Sequence, residues 1–142
     1  MKSIEEAITI DAPVEKVWKT FTDFENHKAW NPFIVYIKGK PEESAQLEIK
    51  VKSPEGKSTS FKTKINNIKE NAELIWKGHA GFKSMLEAEH CFQFEAQDDG
   101  TTLFTQSETF EGLLTAVIDK EIKETKEGFK EMNKALKKHC EA

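Results

Sequence analysis

Arginine is absent from this sequence: all 21 basic residues are lysine. Without a planar guanidinium fork, an arginine finger or a bidentate clamp on phosphate or carboxylate is excluded. Cysteine is nearly absent too. Cys91 and Cys140 form neither a metal-ligand spacing nor a disulfide framework, and are expected as reduced thiols, one a small strand residue and the other a tail residue. No apolar run approaches the roughly 18 residues of a membrane span. The opening Met1-Lys2-Ser3-Ile4-Glu5-Glu6 has no apolar h-region, so no signal peptide is expected and the location is read as cytoplasmic. A net charge of −4 lacks the basic footprint of a nucleic-acid binder. No internal repeat, low-complexity segment or linker is visible. The 142 residues are expected to form one domain over 1–142, long enough to bury about two thirds of the unfolded surface.

With 37% hydrophobic and 32% charged residues, the core must lie on a few patterned faces. Ile4, Ile8 and Ile10 share one strand parity, interrupted by Glu6 as an inward polar candidate. Asp11 is expected to cap a helix that begins near Pro13 and places Val14, Val17, Trp18 and Phe21 on one stripe. A second short helix is expected from Phe24 to Trp30, stopped by Asn31-Pro32. Six alternating strands follow, at about 33–38, 46–52, 58–68, 72–80, 86–95 and 101–110. Leu74, Trp76 and Gly78 face inward on one of them, Leu86, Ala88, His90, Phe92 and Phe94 on the next, and Phe104, Gln106, Glu108 and Phe110 on the last. From Leu113 to about His139, Leu114, Val117, Ile118, Ile122, Phe129, Met132 and Leu136 recur at helical spacing, with a loosening near Thr125 to Gly128. Strands that are polar on one face must cover the other. An α+β fold follows: a curved antiparallel sheet of six to seven strands wrapped around one long C-terminal helix, whose apolar stripe is needed for the sheet and not for a membrane.

Three segments resemble the START-like superfamily of polyketide cyclase/dehydrase and lipid-transport proteins and pollen-allergen-like proteins. They are Ile10-Asp11-Ala12-Pro13-Val14-Glu15-Lys16-Val17-Trp18, Trp30-Asn31-Pro32-Phe33, and the run from Thr105 to Leu114. The resemblance implies a helix-grip fold with a hydrophobic cavity between sheet and helix. It also implies small apolar or amphipathic ligands and no fixed cofactor. It does not choose among carriers, receptors, cyclases and co-chaperone-like interaction modules.

Ligand contacts are expected from Trp30, Phe33, Trp76, His90, Phe92, Phe104, Gln106, Glu108, Phe110, Ile118 and Ile122, although each aromatic taken singly reads first as core. Trp30 reads as either packing or pocket rim. Glu108 points inward by parity, and a buried carboxylate needs a partner or stays protonated. The Asp98-Asp99-Gly100 turn puts His90 near Glu108 or Gln106, to within about two residues. That pair has three readings: a satisfied polar bridge to cavity water, an orienting group for a ligand, or a general acid and base. His90 and Glu108 are thus the only catalytic candidates. No nucleophile elbow, phosphate loop or metal triad is present, and no metal is expected. Gly78-His79-Ala80-Gly81-Phe82 reads as a strand connection or a hinged lid. The expected partner is one small hydrophobic molecule, a lipid, aromatic or polyketide-like metabolite, neutral or weakly polar in preference to anionic. The chain itself is expected as a monomer or weak homodimer.

Overall fold

The computed structural model describes residues 1–80 and 85–142. Strand β1 (Lys2–Ile10) leads into helix α1 (Val14–Thr22), a 3-10 turn (Phe24–Asn26) and the one-turn helix α2 (His27–Trp30). Six strands follow: β2 (Ile34–Lys38), β3 (Gln46–Lys52), β4 (Ser58–Lys69), β5 (Glu73–Ala80), β6 (Leu86–Ala96) and β7 (Thr102–Glu111). A 3-10 turn (Leu113–Val117) then joins the sheet to helix α3 (Asp119–Glu141). All neighbours pair antiparallel in one seven-stranded sheet, ordered β1-β7-β6-β5-β4-β3-β2. Register shifts between Ile34 and Tyr36 and between Ile65 and Asn67 add local twist, which curls the sheet. The helices occupy the concave side. This is the helix-grip arrangement that the alternation and the resemblance imply.

The core starts at α1. Val14, Val17, Trp18 and Phe21 are buried at the expected spacing. Phe21 is fully buried and its ring lies 4.5 Å from Phe92, 5.5 Å from Phe94 and 6.1 Å from Phe104, measured between centroids. From α3, Phe129, Met132, Leu136 and Cys140 close the other side. Glu6 does face inward, and Lys126 of α3 answers it at 3.7 Å.

Four expectations are corrected here. Asp11 does not cap α1: no side-chain cap bond forms, and Lys16 and Val17 donate instead to the Pro13 carbonyl. The Asp11 backbone N–H donates to the Glu141 carboxylate at 2.8 Å, which ties the entrance of α1 to the end of α3. Helix α3 starts at Asp119, not Leu113. Leu114 N–H is taken by the Met85 carbonyl and Thr115 Oγ1 by the Gly112 carbonyl, which holds a tight turn against the start of β6. Leu113 and Val117 are consequently 79% and 72% exposed, and Val117 does not join the apolar stripe. The helix also runs unbroken through Thr125 to Gly128. Finally, Cys140 is not an unremarkable tail residue: it is buried between α3 and α1, and burial raises its thiol pKa. Cys91 is half-buried, and burial with the nearby Glu73 carboxylate pushes its thiol up to about 12. Both are free and poor nucleophiles.

Gly128 has a packing reason. A Cβ there would enter the ring of Phe33, which also meets Phe129 edge-on. Gly128→Ala gains about 1 kcal/mol of helix propensity but forces Phe33 away. We expect a net loss of about 1–2 kcal/mol in urea unfolding; a stabilised variant would show that this close approach is dispensable.

Candidate functional site

The cross-strand register makes a gap in the concave face. One row reads Thr63, Gly78, Ala88, Phe110 across β4 to β7, with the two smallest side chains in its middle. The next row reads Ile65, Trp76, His90, Glu108. Above Gly78 and Ala88 a cavity of about 340 Å³ remains between sheet and α3. A Cβ on Gly78 would sit only 3.0 Å from Thr63 Cγ2 and 3.1 Å from the Lys62 carbonyl, so glycine also lets β4 approach closely. Phe33, Trp76, Phe110, Ile118 and Ile122 form apolar walls. Ser53 and Lys57 from the β3–β4 hairpin and Glu121, Glu124 and Thr125 from the first turns of α3 form the outer part. A second depression, over Tyr36, Glu48 and Lys50, lies on the outer sheet face away from these groups.

Seven of the eleven residues expected at a ligand line this cavity: Phe33, Trp76, His90, Glu108, Phe110, Ile118 and Ile122. Four do not. Phe92 and Phe104 are fully buried in the ring cluster around Phe21. Gln106 is fully buried one step deeper, beneath His90. Trp30 stacks between His27, at 4.7 Å, and His139, at 6.1 Å, outside the cavity lining. Its Nε1 is buried with no hydrogen-bond partner among the described residues.

Its neighbours Asn31 and His27 explain how the segment is held. His27 Nε2–H donates to the Phe21 carbonyl at 2.5 Å, and Asn31 Nδ2–H donates to His27 Nδ1 at 3.1 Å. Asn31 Oδ1 then accepts from the backbone N–H of Phe33 and Ile34, each at 3.0 Å. This chain aims Phe33 at the cavity. Burial lowers the His27 pKa to about 4, so the ring stays neutral and the tautomer fits both bonds.

His90 and Glu108 are directly opposite across β6 and β7. His90 Nε2–H donates to Gln106 Oε1 at 3.0 Å, and the Gln106 amide donates to Asn133 Oδ1 at 2.6 Å and the Phe129 carbonyl at 3.4 Å. The Phe129 carbonyl can only accept, so the orientation of the Gln106 amide, and with it the His90 tautomer, follows. Burial lowers the His90 pKa to about 3, which leaves Nδ1 as a lone pair. Glu108 is only half-buried because it fronts the cavity, and its carboxyl has no hydrogen-bond or ion-pair partner among the described residues. Burial raises its pKa to about 8, so near pH 7 the acid is mostly neutral. His90 and Glu108 do not bond one another directly: His90 bonds Gln106, and Glu108 has no protein partner among the described residues.

Sequence reasoning missed Thr63, a cavity-lining residue whose own hydroxyl is buried and unpartnered among the described residues, and Asn133, which holds Gln106. Thr63 shares strand parity with Phe61 and Ile65, and Asn133 stands four residues after Phe129; both signals were available. Gly78, His79 and Ala80 lie within β5, and the rest of the expected lid, Gly81 and Phe82, falls outside the described residues. Among the described residues no group of three metal-ligating side chains occurs, and no helix is long and apolar enough to cross a membrane.

The family model described as polyketide cyclase / dehydrase and lipid transport matches residues 1–141. No curated protein matches. Among solved structures, a START superfamily protein from Mycobacterium smegmatis is 22% identical with a TM-score of 0.79, covering 98% of this chain and 97% of that one. A protein from Mesorhizobium loti is 14% identical with a TM-score of 0.75, covering 96% and 95%. The di-domain ARO/CYC BexL, from the BE-7585A biosynthetic pathway, is 13% identical with a TM-score of 0.77, covering 99% of this chain and 50% of that one. At these identities the likeness is one of fold.

Proposed function

The chain belongs to the polyketide cyclase/dehydrase and lipid transport family, and from that premise we propose that it binds a small, largely apolar molecule between the sheet and α3. The observation that carries this reading is the unpartnered Glu108 carboxyl on the wall of an otherwise mainly apolar cavity. A core that only had to be stable would fill the space above Gly78 and Ala88 and would not leave a desolvated acid there. Binding draws on burial of ligand surface against Phe33, Trp76 and Phe110, with Glu108 and His90 Nδ1 orienting one polar group.

A catalytic form of this reading, a cyclase- or dehydrase-type proton relay, finds support in one feature. Glu108 is an acid with a pKa near 8 and faces a neutral imidazole with a free lone pair. Such a relay would protonate a bound carbonyl from Glu108 and take a proton at His90 Nδ1. Glu108→Gln would then remove turnover of a polyketone while binding persisted.

The binding reading is tested with Nile red, a neutral fluorophore. The wild-type protein should bind it saturably. Ala88→Trp, which fills the gap from its floor at a stability cost of about 1–3 kcal/mol, should weaken that binding at least about tenfold while circular dichroism still reports the native sheet. Undiminished Nile red binding in folded Ala88→Trp protein would put the probe elsewhere and end the proposal.

A further inference from the structure

The hydrogen-bond accounting of the cavity wall is one-sided. His90 spends its single N–H on Gln106, and Gln106 spends its amide on Asn133 and the Phe129 carbonyl. His90 and Glu108 both line the cavity, opposite one another on adjacent strands, and neither the His90 Nδ1 lone pair nor the Glu108 carboxyl has a protein partner among the described residues. Directly opposed residues have Cβ atoms about 5 Å apart, so one small group can reach both. When Glu108 is ionised, both positions only accept. A ketone, ester or carboxylate brings further acceptors and matches poorly; a group rich in N–H donors matches well.

Charge agrees with this. Glu108, Glu121 and Glu124 line the cavity, against one lining cation among the described residues, Lys57. Glu124 shares part of its charge with Lys120 at 3.9 Å, outside the lining. Trp76, Phe33 and Phe110 present ring surfaces, to which cations are also attracted.

We propose that the cavity selects a cationic amphiphile: a protonated primary or secondary amine on an aromatic or aliphatic body, its ammonium held by the Glu108 carboxylate and His90 Nδ1. The inference rests on the reading that this cavity binds an apolar molecule, and it specifies the head group. The apolar body lies against Trp76 and Phe110. No covalent step is involved. Near neutral pH the neutral Glu108 acid gives up its proton to the buffer as the ammonium arrives, so binding and proton release are coupled. The other titratable groups lining the cavity are His79, His90, Glu121, Glu124 and Lys57, and Lys126 is already committed to Glu6.

Three probes of one shape separate the possibilities: 2-(1-naphthyl)ethylamine, 2-(1-naphthyl)ethanol and 1-naphthaleneacetate, titrated calorimetrically at pH 7 in buffers of different ionisation enthalpy. The amine should bind about tenfold or more tighter than the alcohol or the acid, as expected for a charge-assisted bond in a dry site. Its heat should depend on the buffer, reporting release of close to one proton, and its affinity should increase from pH 6 to pH 7.5. Glu108→Gln should bring the amine-to-alcohol ratio near one. Equal or weaker amine binding, no proton release, or an amine preference that survives in Glu108→Gln overturns the inference. If Nile red and the alcohol bind without any amine preference, only the head-group assignment fails. If no probe binds, the cavity reading fails with it.

Discussion

Glu108→Gln should make the protein more stable by about 2–3 kcal/mol at pH 8–9, and the gain should vanish by pH 4. Wild-type Glu108 has a folded pKa near 8 against an ordinary 4.5, raised by burial alone. Between those values the folded chain holds a proton that the unfolded chain has released. Stability therefore falls as pH rises from 4.5 through 8, by about 1.4 kcal/mol per unit at full burial. Solvent in the partly open cavity screens Glu108 and reduces the total to the gain of about 2–3 kcal/mol above, roughly half of the fully buried value. Gln carries no charge and escapes this loss. His27 and His90, with folded pKa near 4 and 3, act in the opposite direction. Unfolded imidazoles take up protons below about 6.5, so stability is lost as pH falls from there toward 4. These two losses are common to both proteins and cancel in the comparison. The wild type should be most stable near pH 6–7, and the variant should hold a plateau into alkali. Urea unfolding at pH 5, 7 and 9 measures the difference directly; a difference that does not vary with pH would mean that Glu108 is not desolvated.

The second large effect concerns Phe21. Its ring touches those of Phe24, His27, Trp76, Phe92, Phe94 and Phe104, at centroid separations from 4.5 to 6.4 Å. Phe21→Ala opens a void where α1 meets four sheet rings, with rigid neighbours that cannot collapse into it. We expect a loss of about 3–5 kcal/mol, a large share of the roughly 5–15 kcal/mol typical of a domain. Phe61→Ala is the control, since Phe61 is 42% exposed and should cost under about 1 kcal/mol. Comparable losses in urea unfolding would show that the ring cluster is not the stabilising centre. Because Trp76 both stacks on Phe21 and lines the cavity, Phe21→Ala should also weaken Nile red binding.

Strand parity carried most of what was legible in the sequence. Inner and outer faces alternate along β6 and β7 without a bulge, so parity alone assigns His90, Glu108 and Phe110 to the concave side without any knowledge of register. The antiparallel register then put Glu108 opposite His90, within the expected tolerance. Less legible were interactions that join distant segments. Gln106 and Asn133 are 27 residues apart, and nothing local to either marks the bond. Leu114 and Val117 continue a helical apolar pattern, yet a hydrogen bond from Leu114 N–H to the Met85 carbonyl decides the backbone there. Asp11 has the chemistry of a cap, but its backbone is recruited by Glu141 from the other end of the chain. Trp30 shows the limit of the family resemblance: the motif is in place, but its indole packs between two histidines and does not reach the cavity. Cys140 follows Leu136 at four residues on the same stripe, yet its place third from the C-terminus reads as tail, and the structure buries it.

The pairing of β1 with β7, and the contacts of Asp11 with Glu141 and of Lys137 Nζ with the Thr9 carbonyl, have a consequence during synthesis. Strands β2 to β7 form a meander of neighbours that can pair in the order they leave the ribosome. Strand β1 emerges first and finds its partner last, about 100 residues later, or roughly 5–20 seconds at ordinary elongation rates. Through that interval Ile4, Ile8 and Ile10 have no sheet to join. Helix α3, which seals β1 in place, arrives later still. The nascent chain therefore carries an exposed apolar strand until the C-terminal helix is released, and truncation before α3 should give a chain that engages chaperones and does not fold.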